Sequence, residues 1–381
     1  MAERTERTKT TSSRRRKKKA ELNYTFLVVT LALLAYGLVM VFSASSGVAH
    51  NNNLGASYYF IRQLVFAAVG VVVMLAISKM DYKKFYNRGI VFLGAGITLL
   101  LLVLVLVIGK EGGGATRWIG FGSVRIQPSE IAKFVTVVVM AKWLSDYKGD
   151  MKKYSSLIKL LIPAVIFAGM VLLGDHLSGA IIVGMVGVIL VYAAGAKASH
   201  IIYSMLAVVP VLALAVILQP YRLKRITSFI NPFADIRGDG WQVVQSLYSI
   251  GSGGLFGVGL GQSRQKHGFL PEPYTDFIFS VICEELGFFG ALLVIALFVV
   301  LVVTGFKIAL NAPDRFSSRL ACGMVSLIAL QFVMNIAVVT SAMPCTGITL
   351  PFFSYGGSAL VVNLAEAGVI LSVSRGIDRK I

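Results

Sequence analysis

The stretch Gly89–Gly109, GIVFLGAGITLLLLVLVLVIG, contains no charged side chain. A helix of about 20 apolar residues spans a hydrocarbon core of about 30 Å. Inside such a core, a segment has to satisfy its own backbone hydrogen bonds, and an α-helix does so. The stretch therefore predicts a transmembrane helix, and residues 177–196 and 201–218 are of the same kind.

The composition of the whole chain agrees with this interpretation. Of its 381 residues, 56% are hydrophobic and 14% are charged, whereas a soluble domain carries about 25% charged residues. The alternating segments of a transmembrane barrel are absent. We predict an all-α, polytopic integral membrane protein of about ten helices with both termini in the cytoplasm. The predicted spans are 24–44, 60–78, 89–109, 128–145, 157–173, 177–196, 201–219, 277–305, 318–340 and 357–374.

The net charge of +18 is unevenly distributed, with nine Lys and Arg residues among the first twenty residues. A basic tail before the first apolar run is typical of a topology signal that keeps the N-terminus inside, and it could also contact anionic lipid. The charge is not a stripe on a soluble face, so we do not expect nucleic-acid binding. The apolar run 26–42 is longer than a signal-peptide core, which predicts a retained helix. We predict a basic tail at 1–22 and a single membrane domain at 23–381.

With this orientation, most of the 36 Lys and Arg residues fall in cytoplasmic segments, as the positive-inside rule requires. Most of the external charge lies in segments 110–127 and 220–276, so the chemistry is expected there. The longer segment includes a predicted short interfacial helix at 241–250 and a glycine-rich stretch at 253–261. The three cysteines and four histidines are scattered, which predicts no disulfide framework, no zinc site and no His-rich metal site.

Several ionisable residues fall at membrane depth, where a charge is a functional hypothesis by default. Glu130 and Lys133 are three residues apart and share a helix face, while Glu284, Glu285 and Glu366 lie in later spans. Each also has a structural alternative, which is an ion pair or a hydrogen bond to a neighbouring helix.

Asp276 ends the long polar external loop, which favours a functional role, although it could also be a first-turn carboxylate after an N-capping Thr275. The helix dipole would lower its pKa, whereas apolar surface or Glu272 would raise it. Both alternatives stay open at this point.

Three motifs carry a family resemblance. The first is Gly261–Phe279, GQSRQKHGFLPEPYTDFIF, followed by Glu284–Phe288, EELGF. The second is Gly114–Ile119, GATRWI, with Gln127–Lys133, QPSEIAK, and the third is Pro344–Ser358, PCTGITLPFFSYGGS. In this order they resemble the signature of the SEDS family, which comprises FtsW, RodA and SpoVE and acts on lipid II in cell-wall synthesis.

Details of the motifs refine the resemblance. The run GQSRQK before LPEP looks more like FtsW and SpoVE than RodA. At Asp175 the family usually has a proline, so no role is carried over to the turn Gly174–Ser178.

The resemblance implies a peptidoglycan glycosyltransferase, FtsW-like in division or acting in sporulation or elongation. It would join the disaccharide of one lipid II to another and release undecaprenyl pyrophosphate. Asp276 matches the essential aspartate of the family and is the expected general base. The expected substrate-binding residues are Arg117, Gln127, Ser129, Glu130, Lys133, Arg222, Arg264, Lys266, Glu272, Thr275, Glu285, Ser354 and Ser358.

The resemblance also implies partners and a location. We expect a class B penicillin-binding protein as the partner, lipid II and the growing glycan strand as ligands, contacts with other division proteins, and an active site that faces outside at the cytoplasmic (inner) membrane. A divalent cation, Mg²⁺ or Mn²⁺, could assist at Asp276 or Glu272; no other cofactor is implied. Two alternatives stay open: a lipid II flippase, which buried acids and a lysine would also suit, and a non-catalytic division scaffold.

Overall fold

The structure is a computed structural model that describes residues 22–112, 115–121, 124–236, 238 and 240–377. Except for Leu22, the predicted basic tail lies outside the described residues. The helices are α1 (Tyr24–Asn51), α2 (Tyr58–Lys79), α3 (Arg88–Ile108), α4 (Pro128–Asp146), α5 (Tyr154–Leu173), α6 (Leu177–Ala193), α7 (Ala198–Ile217), α8 (Pro220–Ile230), α9 (Trp241–Ser252), α10 (Ile278–Leu310), α11 (Arg315–Val339) and α12 (Gly357–Arg375), with a 3-10 turn at Tyr82–Tyr86.

The helical, polytopic fold predicted from the sequence is confirmed. Each of the ten predicted spans corresponds to one helix, and α8 and α9 are additional. The predicted limits agree within five residues, apart from α1, which continues to Asn51. In the described part of the chain, eight helices are long and apolar enough to cross a membrane. α6 is apolar but shorter, and α4 carries internal charges. The count of about ten crossings and the cytoplasmic termini stay predictions.

Successive long helices run in opposite directions, so their connections lie at two ends of the bundle. At the terminal end, the amide of Asn23 donates to Ser374 Oγ over 3.2 Å, which joins the start of α1 to the end of α12. Tyr82 donates to Asp314 Oδ2 at the same end, over 2.7 Å. The opposite end, called here the loop end, holds α8, α9 and the residues that precede α4, α6, α10 and α12.

Segment 110–127 differs from the all-α prediction. It forms a small antiparallel sheet of β1 (Lys110–Gly112), β2 (Ala115–Phe121) and β3 (Val124–Ile126) in the order β1-β2-β3. Strand pairing satisfies backbone groups that an open loop would leave unpaired beside apolar helices. β2 contacts α3 and α4, so the sheet brings Arg117 to the start of α4.

α9 confirms the predicted short helix but not its expected contact with lipid. Its Val244 and Ser246 are fully buried, and the helix contacts α10 and α11. Ser246 Oγ lies 2.7 Å from Ser280 Oγ and donates to the carbonyl oxygen of Val339 over 2.7 Å. The buried face of α9 therefore packs against α10 and α11, where the Ser246 hydroxyl finds its hydrogen-bond partners.

α10 is broken near its start by Gly287, which adopts φ +66°. The glycine-rich stretch 253–259 fits against this break, where the amide of Phe288 donates to the carbonyl oxygen of Gly254 over 2.9 Å. A side chain at Gly287 would collide with the backbone of that stretch, and its positive φ also favours glycine. The glycine-rich stretch is therefore closely packed against α10.

Two adjacent carboxylates of α10 hold the loop that leads to Asp276. Lys266 Nζ lies 2.8 Å from Glu285 Oε1, and both side chains are fully buried. Glu284 Oε1 accepts from the amide of Arg264 over 2.8 Å. Because a buried charge is stable only when it is paired and hydrogen-bonded, these contacts fix the loop on α10.

We predict that Glu285→Leu will lower the thermal unfolding midpoint of the detergent-solubilised chain by several degrees. The substitution leaves the Lys266 ammonium buried without its counter-charge, which typically costs about 3–5 kcal/mol. The double variant Lys266→Met/Glu285→Leu serves as the control and should recover most of the loss, because it buries no charge. An unchanged midpoint for Glu285→Leu would contradict the buried ion pair.

Candidate active site

Asp276 lies at the loop end, two residues before α10. The helix begins at Ile278 after Phe277, so Asp276 is not the first-turn carboxylate that the sequence allowed. The Asn335 side-chain amide donates to the carbonyl oxygen of Asp276 over 2.8 Å. Ser354 Oγ donates to the carbonyl oxygen of Thr275 over 2.6 Å. The backbone on both sides of the carboxylate is therefore held by α11 and by the loop before α12.

Two arginines approach this carboxylate. Gly347 adopts φ +66°, and a Cβ atom added there would lie 3.3 Å from Asp276 Oδ2 and 3.9 Å from Arg117 Nη1. Arg225, on α8, donates from Nη1 to the carbonyl oxygen of Cys345 over 2.8 Å. The left-handed conformation of Gly347 and its missing side chain thus leave room where carboxylate and guanidinium converge.

The Asp276 carboxyl group has a raised pKa. Burial is the largest cause and Glu272 adds to it, while Arg225 and Arg117 act in the opposite direction, and together they raise the pKa to about 6. Thr275 Oγ1 donates to Glu272 Oε2 over 2.7 Å, which holds the second carboxylate nearby. Desolvation and the charge of Glu272 raise the pKa of Asp276. The helix dipole does not offset them, because the residue lies outside the helix.

His176 belongs to the same end of the bundle, although no role was predicted for it. Its Nδ1 lies 2.8 Å from Ser129 Oγ and 3.4 Å from Gln127 Nε2. Burial lowers the pKa of His176 well below its usual value, and the charges of Arg117 and Lys133 lower it further. The imidazole is therefore neutral, and the predicted residues Gln127 and Ser129 contact it.

The predicted pair Glu130 and Lys133 lies below this layer, inside the helix bundle. Lys133 Nζ is 2.7 Å from Glu130 Oε2 and donates to Gln331 Oε1 over 2.7 Å. All three side chains are buried. Glu366 is also fully buried, and Lys133 and Glu130 are the charges that act on it. Neither of its carboxyl oxygens has a hydrogen-bond partner within the described residues.

A cleft of about 250 Å³ opens beside Arg225. Its walls come from α8, from the start of α9 and from the loops before α10 and α12. The polar and aromatic lining residues are Lys224, Arg225, Trp241, Gln242 and Cys345. A cationic cleft of this size next to a carboxylate can accept an anionic group.

Other predicted ligands lie elsewhere. Lys266 and Glu285 form the buried ion pair between the loop and α10, and their assignment as substrate ligands stays a prediction. Arg264 has an exposed side chain, and Ser358 Oγ is buried without a hydrogen-bond partner in the described part of the chain. Arg222 lies in the first turn of α8, and its side chain falls outside the described residues.

Four residues of this region were not predicted from the sequence, namely His176, Arg225, Gln331 and Asn335. Gln331 and Asn335 are amides one turn apart in an apolar span. Polar side chains in such spans usually bond across helices, so this pair was a usable signal. His176 could not be recognised from the sequence, except that it follows Asp175, where the family usually has a proline.

Asp276 and Glu272 are the acidic side chains that were considered for a divalent cation. Across the described ranges, no group of three or more His, Cys, Asp and Glu side chains is arranged to hold a metal ion. Two carboxylates alone are few ligands for a hard cation. We therefore derive no step through such an ion.

Comparison with known proteins identifies the family. A match to the FtsW/RodA/SpoVE family, described as cell cycle proteins, covers residues 24–378. This chain belongs to the FtsW/RodA/SpoVE family. It is 42% identical over 363 residues to stage V sporulation protein E of Bacillus subtilis, covering 94% of this chain and 98% of that protein. It is 39% identical over 359 residues to a probable peptidoglycan glycosyltransferase FtsW of Trichlorobacter lovleyi, covering 94% of each.

Solved structures agree with the FtsW/RodA/SpoVE assignment. A chain from a peptidoglycan synthase complex, described as coordinating polymerisation and crosslinking, superposes with a TM-score of 0.77 at 29% identity and covers 94% of this chain and 99% of that one. RodA of Thermus thermophilus superposes with a TM-score of 0.68 at 28% identity, covering 94% and 98%. The family and the eight apolar helices show that the chain is a multi-pass membrane protein.

We predict that Asp276 titrates near pH 6. Removal of the Glu272 charge by Glu272→Gln should lower this pKa, and removal of a cation by Arg225→Gln should raise it. Infrared difference spectroscopy can follow the carboxyl stretch, which is assigned by its loss in Asp276→Asn. A midpoint near 4 that neither substitution moves would contradict the described environment.

Proposed function

We propose that this member of the FtsW/RodA/SpoVE family is a peptidoglycan glycosyltransferase that polymerises lipid II. The observation that carries the proposal is the placement of Asp276. Its backbone is held by hydrogen bonds from Asn335 and Ser354, and its carboxylate lies close enough to Arg117 and Arg225 for their charges to lower its pKa. Relatives over nearly the whole chain bear the name probable peptidoglycan glycosyltransferase FtsW, which supports the same conclusion.

In the proposed reaction, Asp276 acts as general base. It takes the proton from an acceptor sugar hydroxyl as that oxygen attacks the anomeric carbon of a second lipid-linked saccharide. A glycosidic bond forms, and the bond from the anomeric carbon to the pyrophosphate oxygen breaks. A carboxylate with a pKa of about 6 is ionised at neutral pH, yet it is more basic than an ordinary aspartate, which suits general-base catalysis.

The leaving group is an undecaprenyl pyrophosphate anion, whose developing charge needs cations. Arg117 and Arg225 are the guanidinium groups at Asp276, and Lys224 lines the adjoining cleft. Arginine suits phosphate oxygens because its planar fork presents paired donors. Neutral His176 adds a polar group without a further charge. These residues would bind the pyrophosphate and stabilise it as it leaves.

Orientation, partner and cellular role complete the proposal. The loop end would face the outside of the cytoplasmic membrane, with the termini inside. A class B penicillin-binding protein would crosslink the strand that this chain makes, and the similarity to a chain of a peptidoglycan synthase complex supports such a partner. The similarity to FtsW and SpoVE proteins favours a role in division or sporulation.

Lipid II flipping is the second candidate, and one observation favours it. The buried group of Glu130, Lys133 and Glu366 places ionisable side chains inside the bundle, where they often mark transport pathways. A non-catalytic scaffold would need none of the polar contacts at Asp276. A polymerase extends lipid II, a flippase scrambles it without polymerisation, and a scaffold does neither, so assays of the wild-type chain and of one Asp276 variant distinguish the three functions.

We predict that Asp276→Asn will reduce lipid II polymerisation at least a hundredfold, since a positioned base contributes about 10²–10⁴-fold. The purified chain, with its penicillin-binding partner, is given fluorescent lipid II, and the products are separated by gel electrophoresis. Asp150→Asn is the matched control, because it makes the same change at an exposed carboxylate between α4 and α5.

The control should retain full activity, and both variants should keep their thermal midpoint and partner binding. Full polymerisation by Asp276→Asn would overturn the role of the aspartate. Scrambling of lipid II in liposomes without polymerisation would instead establish the flippase.

We also predict that the loop end is external. In a variant without native cysteines, Glu272→Cys should react with a membrane-impermeant maleimide in intact cells, because Glu272 is exposed at that end. Asp150→Cys, exposed at the terminal end, should react only after permeabilisation. The reverse pattern would exclude an active site that faces outside.

A further inference from the structure

Four tyrosines form a cluster of contacting aromatic rings near Asp276. Tyr58 and Tyr59 begin α2, Tyr274 precedes Asp276 by two residues, and Tyr355 lies just before α12. The ring centroids of Tyr59 and Tyr274 are 4.7 Å apart, those of Tyr59 and Tyr355 are 5.3 Å apart, and those of Tyr274 and Tyr355 are 5.6 Å apart. The Tyr58 ring lies 5.2 Å from that of Tyr59. We call these four residues the tyrosine platform.

Hydrogen bonds tie the platform to the catalytic backbone. The amide of Tyr355 donates to the carbonyl oxygen of Tyr274 over 2.8 Å. Gln63, which is buried in α2, donates to the carbonyl oxygen of Ser354 over 3.0 Å and accepts from the amide of Gly356 over 3.2 Å. Ser354 in turn holds Thr275. The platform and Asp276 therefore keep a fixed relative position.

The platform lies at the edge of the apolar core, against which Tyr274 and Tyr355 pack. Its four residues retain exposed surface, and Tyr58 is 38% exposed. The core aromatic cluster is built instead from Phe298, Phe352 and Phe353, which are almost completely buried. Tyrosine differs from phenylalanine by a hydroxyl group that needs a polar partner, so it suits a surface that is apolar on the ring face and wet at the edge.

An arginine borders the platform. The Arg62 guanidinium lies 5.6 Å from the centroid of the Tyr58 ring, and its Nη1 donates to the Tyr58 hydroxyl over 2.8 Å. The charges of Arg62 and Arg125 also act on the Tyr355 hydroxyl. Aromatic faces with hydrogen-bonding groups at their rim match a pyranose ring, which has apolar C–H faces and polar edges.

The elements around Asp276 contribute two kinds of side chain, cationic and aromatic. The cations that act on its carboxylate come from β2 and α8, whereas the tyrosines come from α2 and from the loops before α10 and α12. A lipid-linked saccharide also has two chemically different parts, since its pyrophosphate is anionic and its sugar rings are neutral. The guanidinium groups suit the first part, and the aromatic rings suit the second.

We propose that the tyrosine platform is the saccharide subsite of this protein and holds a sugar ring of an N-acetylated amino-sugar chain beside Asp276. This inference rests on the proposed function, because it assigns one part of the same substrate to named residues. The simpler alternative is an interfacial aromatic belt, in which tyrosines anchor helices at the membrane surface. A belt residue stabilises the protein but does not bind saccharide.

The test measures saccharide binding without turnover. Full-length Asp276→Asn protein in detergent is titrated with a soluble β-1,4-linked tetramer of N-acetylglucosamine, and binding is followed by saturation-transfer NMR. Tyr59→Ala and Tyr355→Ala should each weaken the affinity at least fivefold, whereas Tyr59→Phe, which keeps the ring, should retain most of it. Tyr86→Ala is the matched control, because Tyr86 is a partly exposed aromatic residue at the terminal end, and it should change nothing.

Inorganic pyrophosphate serves as a second probe. Its affinity should fall in Arg225→Gln and stay unchanged in Tyr59→Ala, which separates the two parts of the substrate. A Tyr59→Ala protein with a lowered thermal midpoint but unchanged saccharide affinity would overturn the subsite and favour the belt.

The outcomes also separate this inference from the proposed function. Polymerisation by the wild-type chain together with unaltered saccharide affinity in both alanine variants would overturn the platform alone. Saccharide binding that depends on the platform, in a wild-type chain that does not polymerise lipid II, would support the subsite and overturn the polymerase.

Discussion

The side-chain amide of Asn335 joins two loops from inside the helix bundle. It donates to the carbonyl oxygens of Asp276 and Ile348, over 2.8 and 2.7 Å. Non-helical backbone beside apolar helices is tolerated only where protein groups satisfy its polar atoms. One buried amide satisfies two such carbonyls, and in doing so it sets the carboxylate opposite Gly347. The geometry of the site therefore depends on a polar residue that does not itself face the substrate.

In the proposed reaction, the same few charges would act on both substrate binding and proton transfer. Arg117 and Arg225 oppose the effect of burial on the pKa of Asp276, so they favour its ionised form, and in the proposed reaction they would also present donors to an anionic leaving group. Glu272 has the opposite effect and keeps the carboxylate more basic than an exposed aspartate. Because His176 is neutral, it adds no competing cation beneath Arg117. Occupation of the site by a pyrophosphate would weaken the influence of the arginines, and the base would become stronger when substrate is bound.

The sequence predicts the long helices well, and its family resemblance singles out Asp276, whose catalytic role stays a prediction. Uncharged runs of about 20 residues have few alternatives to a spanning helix, and the motif around Asp276 is long. The sheet at 110–126 was not predicted, because its short strands lack alternation. Lys266 resembles a solvated loop charge in sequence, and only the fold of the loop onto Glu285 at the Gly287 break buries it. Such long-range contacts leave no local pattern.

α4 illustrates how a charged helix can belong to a membrane bundle. Its Glu130 and Lys133 would be expensive in lipid, and hydropathy alone does not select it as a span. In the structure, α3, α5, α6, α11 and α12 all contact it, and Gln331 accepts from the lysine. The surroundings that make α4 stable are therefore other helices rather than lipid. An interior of this kind can hold charged side chains beneath the layer of Asp276, since Glu130 and Lys133 pair with each other and Lys133 also donates to Gln331.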